Sequence, residues 1–276
     1  MRKFYIIFYL LIIPFALQAQ YSAQELFRMG ESAINTGDYN DAIVRLTEHI
    51  KILPNSSLGY ERRGTAYMLL KRYDDAQKDF SSAIQIDSKF SKAYSDRGII
   101  ETLQEDFNSA ISDFTSAIML DPANSTNYVY RGTAYVKSGN QSMGMSDFNK
   151  AITIDPSNSE AYRNRGVVYF MLQDEKLALA DLNSAVELDP SNAQNYLDRG
   201  TFFYQVNDLK EALKDFNKVI ELNKNSSEGY YRRGFVNKEL KKYSEALYDF
   251  KTALELNPEN KLVLETEIKQ LKELIR

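Results

Sequence analysis

Small and apolar residues recur along this chain in a fixed order with a period of 34. Glycine sets the phase: Gly30, Gly64, Gly98, Gly132, Gly166, Gly200 and Gly234, taken as position 8 of each repeat. Position 4 is Leu26 and then Tyr60, Tyr94, Tyr128, Tyr162, Tyr196 and Tyr230. Position 20 is alanine except for Gly144, and position 24 is Phe or Leu throughout. Position 27 is alanine except for His49 and Val219, and position 32 is Pro54, Pro122, Pro156, Pro190 or Pro258 in five copies. Positions 4, 8 and 11 share one face of a helix, and so do 20, 24 and 27. Each repeat is therefore predicted to be two helices. A turn near positions 15–17, as in Thr36-Gly37-Asp38-Tyr39, separates them. Proline near position 32 ends the second, because it cannot continue a helix. The small residues let two backbones approach, and the aromatics fill the space left between them.

In this order, an aromatic, glycine, alanine, phenylalanine and proline resemble the tetratricopeptide repeat, a helix-turn-helix unit of the same length. Copies start near 23, 57, 91, 125, 159, 193 and 227, so the resemblance spans residues 23–260. Tyrosine stands where the family has tryptophan at position 4, and arginine where it has leucine at position 7. The resemblance implies an all-α superhelical solenoid of seven antiparallel helix pairs. First helices would line a concave groove, and second helices the convex side. Residues 261–276 follow as a capping helix, with Leu264, Ile268, Leu271 and Ile275 as its apolar stripe. A fold of this kind implies a binding scaffold and little more.

Two charged positions repeat as strictly as the apolar ones. Position 7 is Arg63, Arg97, Arg131, Arg165, Arg199 and Arg233. Position 23 is Asp79, Asp113, Asp147, Asp181, Asp215 and Asp249. Repeat 1 has Met29 and Arg45 there, so it loses both partners together. Pairing between neighbouring repeats would set Arg63 against Arg45 and Asp249 against Glu267. Pairing within each repeat avoids both conflicts, so structural ion pairs such as Arg63–Asp79 are expected inside every repeat from the second on.

Positions 2, 5, 9, 12 and 13 are the concave positions in the family. Here they give a candidate peptide-binding groove of Met68, Ile99, Leu103, Val129, Val136, Val167, Phe170, Met171, Leu197, Tyr204, Tyr231 and Phe235, extended at its start by Phe27, Ile34, Leu58 and Leu69. Charged groove residues are fewer: Glu31, Glu61, Lys92, Lys137, Glu160, Arg163, Glu228, Lys238 and Glu239. A long apolar surface marks a partner site, here for an amphipathic helix or extended peptide. The family's clamp for a C-terminal carboxylate needs a basic residue at position 5 and asparagine at position 9. Arg163 is followed by Val167, so the clamp is absent. Repeat 4, with Gly144 inside its second helix, is expected to pack least well, since glycine there costs about 1 kcal/mol relative to alanine.

Composition narrows the function. The chain has 276 residues, no cysteine, one histidine and a net charge of −4. Thiol chemistry and cysteine metal sites are excluded, and the mild acidity argues against nucleic acid. His49 has no second histidine to work with, and no phosphate-binding glycine loop is present. No cofactor or metal is expected, and an enzyme built on the repeats is a remote alternative. Asn55, Asn124 and Asn225 begin Asn-x-Ser/Thr sequences in inter-repeat turns, which read as turn chemistry. At the start, Arg2 and Lys3 precede an apolar run of 14 residues, Phe4–Leu17, and then Gln18-Ala19-Gln20. This is the pattern of a secretory signal peptide over residues 1–19. The run falls short of the ~20 residues that span a bilayer, so no membrane span is expected after its removal. The sequence thus leads to an exported, non-catalytic scaffold for a protein or peptide partner, periplasmic or secreted, in a bacterial envelope. The alternative is a structural subunit of an envelope or secretion assembly that uses convex or terminal surfaces.

Overall fold

The computed structural model describes residues 21–275, and the expected signal segment lies outside them. The described residues are helical throughout and divide at Ser88 and Lys89 into two compact units. The first holds α1 (Ala23–Thr36), α2 (Tyr39–Ile52), α3 (Ser57–Leu69) and α4 (Tyr73–Ile86). The second holds α5 (Ser91–Leu103), α6 (Phe107–Leu120), α7 (Ser125–Lys137), α8 (Gln141–Ile154), α9 (Ser159–Met171) and α10 (Glu175–Leu188). It continues with α11 (Ala193–Gln205), α12 (Leu209–Leu222), α13 (Ser227–Glu239), α14 (Tyr243–Leu256), a 3-10 turn (Pro258–Asn260) and α15 (Lys261–Leu274). Odd and even helices pack as antiparallel pairs, two pairs in the first unit and five in the second.

Local chemistry starts and stops these helices. Ser22 and Glu25 form a capping box at the first turn of α1. Asp38, Asp106, Asn140, Asp174 and Asp208 cap second helices through their side chains. Ser56, Asn124, Asn158, Asn192 and Ser226 do the same for first helices. Asn124 thus spends its side chain on a cap. The turn within each pair places position 15 in the left-handed region. Gly37 and Gly139 adopt it readily, whereas Lys71, Glu105, Gln173, Asn207 and Lys241 hold it at φ between 59° and 64°.

The core lies between the two helices of each pair. A Cβ on Gly64 would meet the Phe80 ring at 2.7 Å, and one on Gly234 would meet Phe250 at 2.5 Å. Position 8 is glycine because the ring at position 24 occupies the space a side chain would need. Phe80, Phe114, Phe148, Phe216 and Phe250 are fully buried as a result. Gly144 follows the same logic, which corrects the expectation of loose packing in repeat 4. A Cβ there would meet Val136 Cγ2 at 2.5 Å and the Gly132 carbonyl oxygen at 2.8 Å. The glycine allows a closer helix approach and leaves no void.

Successive pairs are fitted by size. Within each unit, position 27 of one repeat meets position 3 of the next, as at His49–Gly59, Ala185–Asn195 and Val219–Gly229. Where position 27 is large, position 3 is glycine: Gly59 faces His49 and Gly229 faces Val219. Elsewhere alanine is buried at position 27, and in one junction Asn195 Nδ2 donates to the Ala185 carbonyl at 2.8 Å. At the end of the chain, Leu264, Ile268 and Leu271 of α15 are buried against α14. Ile275 lies past the helix and is exposed, so the capping stripe ends one turn earlier than its spacing suggested.

Candidate functional site

Two faces of the first helices carry the residues singled out by the sequence. One meets the second-helix layer. There Arg63, Arg97, Arg131, Arg165, Arg199 and Arg233 each donate Nε and Nη2 to the two carboxylate oxygens of Asp79, Asp113, Asp147, Asp181, Asp215 and Asp249 respectively. The distances run from 2.6 to 3.0 Å. All six pairs lie within one repeat, and all six aspartates are buried. Each guanidinium sits 5.4–5.9 Å from the ring of the position-4 tyrosine one turn earlier. Tyr67, Tyr135, Tyr169 and Phe203, one turn later, lie 5.9–6.0 Å from the guanidinium of Arg63, Arg131, Arg165 and Arg199. The bonds to aspartate hold Arg97, Arg131, Arg165 and Arg199 above the usual arginine range. Burial pushes the Asp79 carboxyl up, and Arg63 only partly pulls it back.

A third bond on these arginines was not anticipated. Nη1 reaches back to position 25 of the preceding repeat: Arg63 to Thr47, Arg131 to Thr115, Arg165 to Asn149, Arg199 to Asn183 and Arg233 to Asn217, at 2.6–3.1 Å. Its signal was present, since position 25 is a short hydroxyl or amide side chain wherever an arginine follows. All three nitrogens of these five arginines are therefore engaged in structural bonds.

The other face carries the groove positions. In the first unit Phe27 packs on the His49 ring with centroids 5.2 Å apart, Ile34 and Met68 are half-buried, and Leu58 and Leu69 are exposed. Glu31 pairs with Arg62 at 3.1 Å, and Glu61 is fully buried. In the second unit Leu103 and Met171 are 53% and 54% exposed. Ile99, Val136, Val167, Phe170, Leu197, Tyr204, Tyr231 and Phe235 are half-buried. Phe170 stands edge-on to Phe202 at 5.3 Å, and Phe235 to Phe250 at 4.9 Å. Val129 is not a groove residue: it is fully buried in a cluster with Ile118, Phe148 and Val168.

The charges on this face are mostly paired. Lys92 holds Asp96, Arg232 holds Glu228, Lys238 holds Glu267, and Arg163 holds both Glu160 and Asp198. Tyr204 donates to Glu239 at 2.6 Å. Burial and that bond push its phenol up to about 12. Between α5, α7 and α9 the face sinks into a hollow of about 420 Å³, lined by Ile99, Leu103, Tyr130, Thr133, Lys137 and Arg163 among others.

His49 bridges three helix ends. Its Nδ1 lies 2.8 Å from the Ala23 carbonyl, which can only accept, so Nδ1 carries the proton. Nε2 lies 2.8 Å from Ser56 Oγ, which also accepts from Gly59 N–H. Both ring nitrogens are thus committed to structure. Among the described residues no three His, Asp or Glu side chains gather as a metal site, and no helix is long and apolar enough to cross a membrane.

Family models described as tetratricopeptide repeat match residues 59–90, 131–193, 193–226 and 227–260, together more than half of the chain. No curated protein matches. Among solved structures, a chain of the APC/C hetero-tetramer Cut9-Hcn1 is similar at 16% identity and TM-score 0.74, over 91% of this chain and 46% of that one. This chain thus spans less than half the length of that one. A tetratricopeptide repeat protein from Parabacteroides merdae ATCC 43184 is similar at 19% identity and TM-score 0.71, over 91% of this chain and 98% of that one. PilF of Pseudomonas aeruginosa is similar at 14% identity and TM-score 0.62, over 79% of this chain and 96% of that one. At these identities the likeness is one of fold. The repeat models and the paired helices agree, and the chain belongs to the tetratricopeptide repeat family.

Proposed function

We propose that this protein is a non-catalytic interaction scaffold that works outside the cytoplasm and binds a peptide or helix along its first-helix face. One observation carries the reading. On that face Leu103, lining the hollow between α5, α7 and α9, and Met171, at the end of α9, stay more than half exposed. Neither is needed to fill the core, and an exposed apolar side chain at a concavity suits a partner. The opposite face offers less, because its arginines are spent on Asp and on the preceding repeat. The signal-like residues 1–19 support export.

Replacing Leu103 and Met171 together by aspartate tests the groove without touching the core. Phe170 and Val167 serve less well, since both pack on the Ala178, Leu182 and Phe202 cluster. Crosslinking in cells followed by mass spectrometry should recover a partner with the unaltered chain and lose it with the double variant. Recovery of the same partner by both chains would move binding to second-helix or terminal surfaces, where Met119 and Leu262 are 72% and 81% exposed. Export is checked separately, by fractionation with and without residues 1–19.

A further inference from the structure

We infer that the hollow between α5, α7 and α9 selects a peptide segment in which a large apolar side chain stands beside a carboxylate. The inference rests on the reading of the first-helix face as a binding surface and adds the chemistry it selects. The apolar part is formed by Ile99, Leu103, Phe114 and Tyr130. Ile99 and Tyr130 pack on Phe114, with the two rings 5.7 Å apart, and they leave Leu103 exposed at the edge. A volume of about 420 Å³ accommodates one large side chain with room for its neighbours.

The polar part sets two cations, Arg163 and Lys137, beside the single carboxylate of Glu160. Arg163 uses Nη1 on Asp198 at 2.9 Å and Nη2 on Glu160 at 3.2 Å, while its buried Nε has no partner. A buried donor without a protein acceptor is uncommon, and it leaves Arg163 short of full neutralisation by its two carboxylates. Lys137, at the end of α7 on the rim of the hollow, is exposed and makes no ion pair. The nearby carboxylates are already engaged: Glu160 by Arg163, and Asp198 by both Arg163 and Gln194. The uncommitted charge at this spot is therefore positive. An arriving carboxylate gains Lys137, whereas an arriving lysine meets an unpaired ammonium. Glu160 keeps the net field small, so selection depends on the apolar side chain and the carboxylate together.

Selection of a phage-displayed random nonapeptide library on the full chain tests this. Enriched peptides should carry Leu, Phe or Tyr within two residues of Asp or Glu. The most enriched one, synthesised, should bind roughly tenfold more weakly to Lys137→Glu, with no change in melting temperature. Exchanging its acid for lysine should recover binding to that variant. Leu103→Asp should weaken the original peptide at least as much. Enriched peptides without an acidic residue, or binding that ignores Lys137→Glu while responding to Leu103→Asp, would overturn the inference and leave the groove standing. Peptides insensitive to Lys137→Glu, Leu103→Asp and Met171→Asp alike would remove the groove reading as well.

Discussion

Each first helix has two faces, and the chain treats them differently. Toward the second helices, position 7 is arginine in every copy from Arg63 to Arg233, and each reaches its own aspartate with the same two-pronged geometry. Toward the groove, position 5 runs Phe27, Glu61, Ser95, Val129, Arg163, Leu197, Tyr231, and position 9 runs Glu31, Thr65, Ile99, Thr133, Val167, Thr201, Phe235. Copies within one chain share their packing problem, so what repeats is what packing requires. What varies is free to answer to something local, whether a neighbouring side chain or a partner. Val129 shows the first case, sealed among its neighbours, and the exposed Leu103 is the proposed example of the second.

The comparison breaks first at its most repeated element. Arg131→Ala strands the buried Asp147 carboxylate and is expected to lower stability by about 3–5 kcal/mol in urea titration. Pairing it with Asp147→Leu should recover much of that loss, because the desolvated charge then disappears. A smaller effect is expected at Gly144. Alanine gains about 1 kcal/mol of helix propensity. Its Cβ nevertheless meets a backbone oxygen at 2.8 Å that cannot swing aside. Overpacking of this kind costs about 1–3 kcal/mol, so Gly144→Ala should still destabilise, as read by thermal melting. Hydrogen exchange of the parent chain should show α8 as protected as its neighbours. On the groove face, Leu103→Asp with Met171→Asp should change stability by no more than ~0.5 kcal/mol per site. A larger loss would place these residues with the packing face. The smallest effect concerns Tyr204. Its phenol, ordinarily at 10.0, is pushed up to about 12. The stabilisation linked to that shift is fully present below pH 10 and fades as pH rises through about 12. Burial also raises Tyr130, so ultraviolet titration should show late tyrosine ionisation of which the part near 12 vanishes in Tyr204→Phe.

The repeated elements were legible because the chain restates them. Glycine at position 8, the ring at 24 and the Arg–Asp separation all followed from phase alone. Single residues were not. Gly144 looked like a weakness when judged by helix propensity. Its reason is the approach of Val136 and the Gly132 carbonyl, a tertiary fact. Val129 looked like a groove residue because position 5 usually is one, and only its neighbours Tyr128, Phe148 and Val168 show it sealed. Ile275 kept the spacing of the cap but fell beyond the last helical turn. The unpaired Nε of Arg163 depends on where Asp198 and Glu160 stand, and no spacing rule reports that.

The backward bond of the arginines gives each repeat a direction. A donor stands on the side facing the preceding repeat, and a short acceptor on the side facing the next, as with Arg131 and Thr115 or Arg233 and Asn217. Growth of such an array is head to tail, and repeats 1 and 7 each lack one of the two partners. Repeat 1 offers Met29 where the donor would be. The last repeat offers Lys251 where the acceptor would be, followed by Glu267 of α15, already held by Lys238. Copies inserted between repeats 4 and 5 with Arg and Asn in phase should extend the array, whereas the same copies appended after repeat 7 would meet Lys251 where an acceptor is needed.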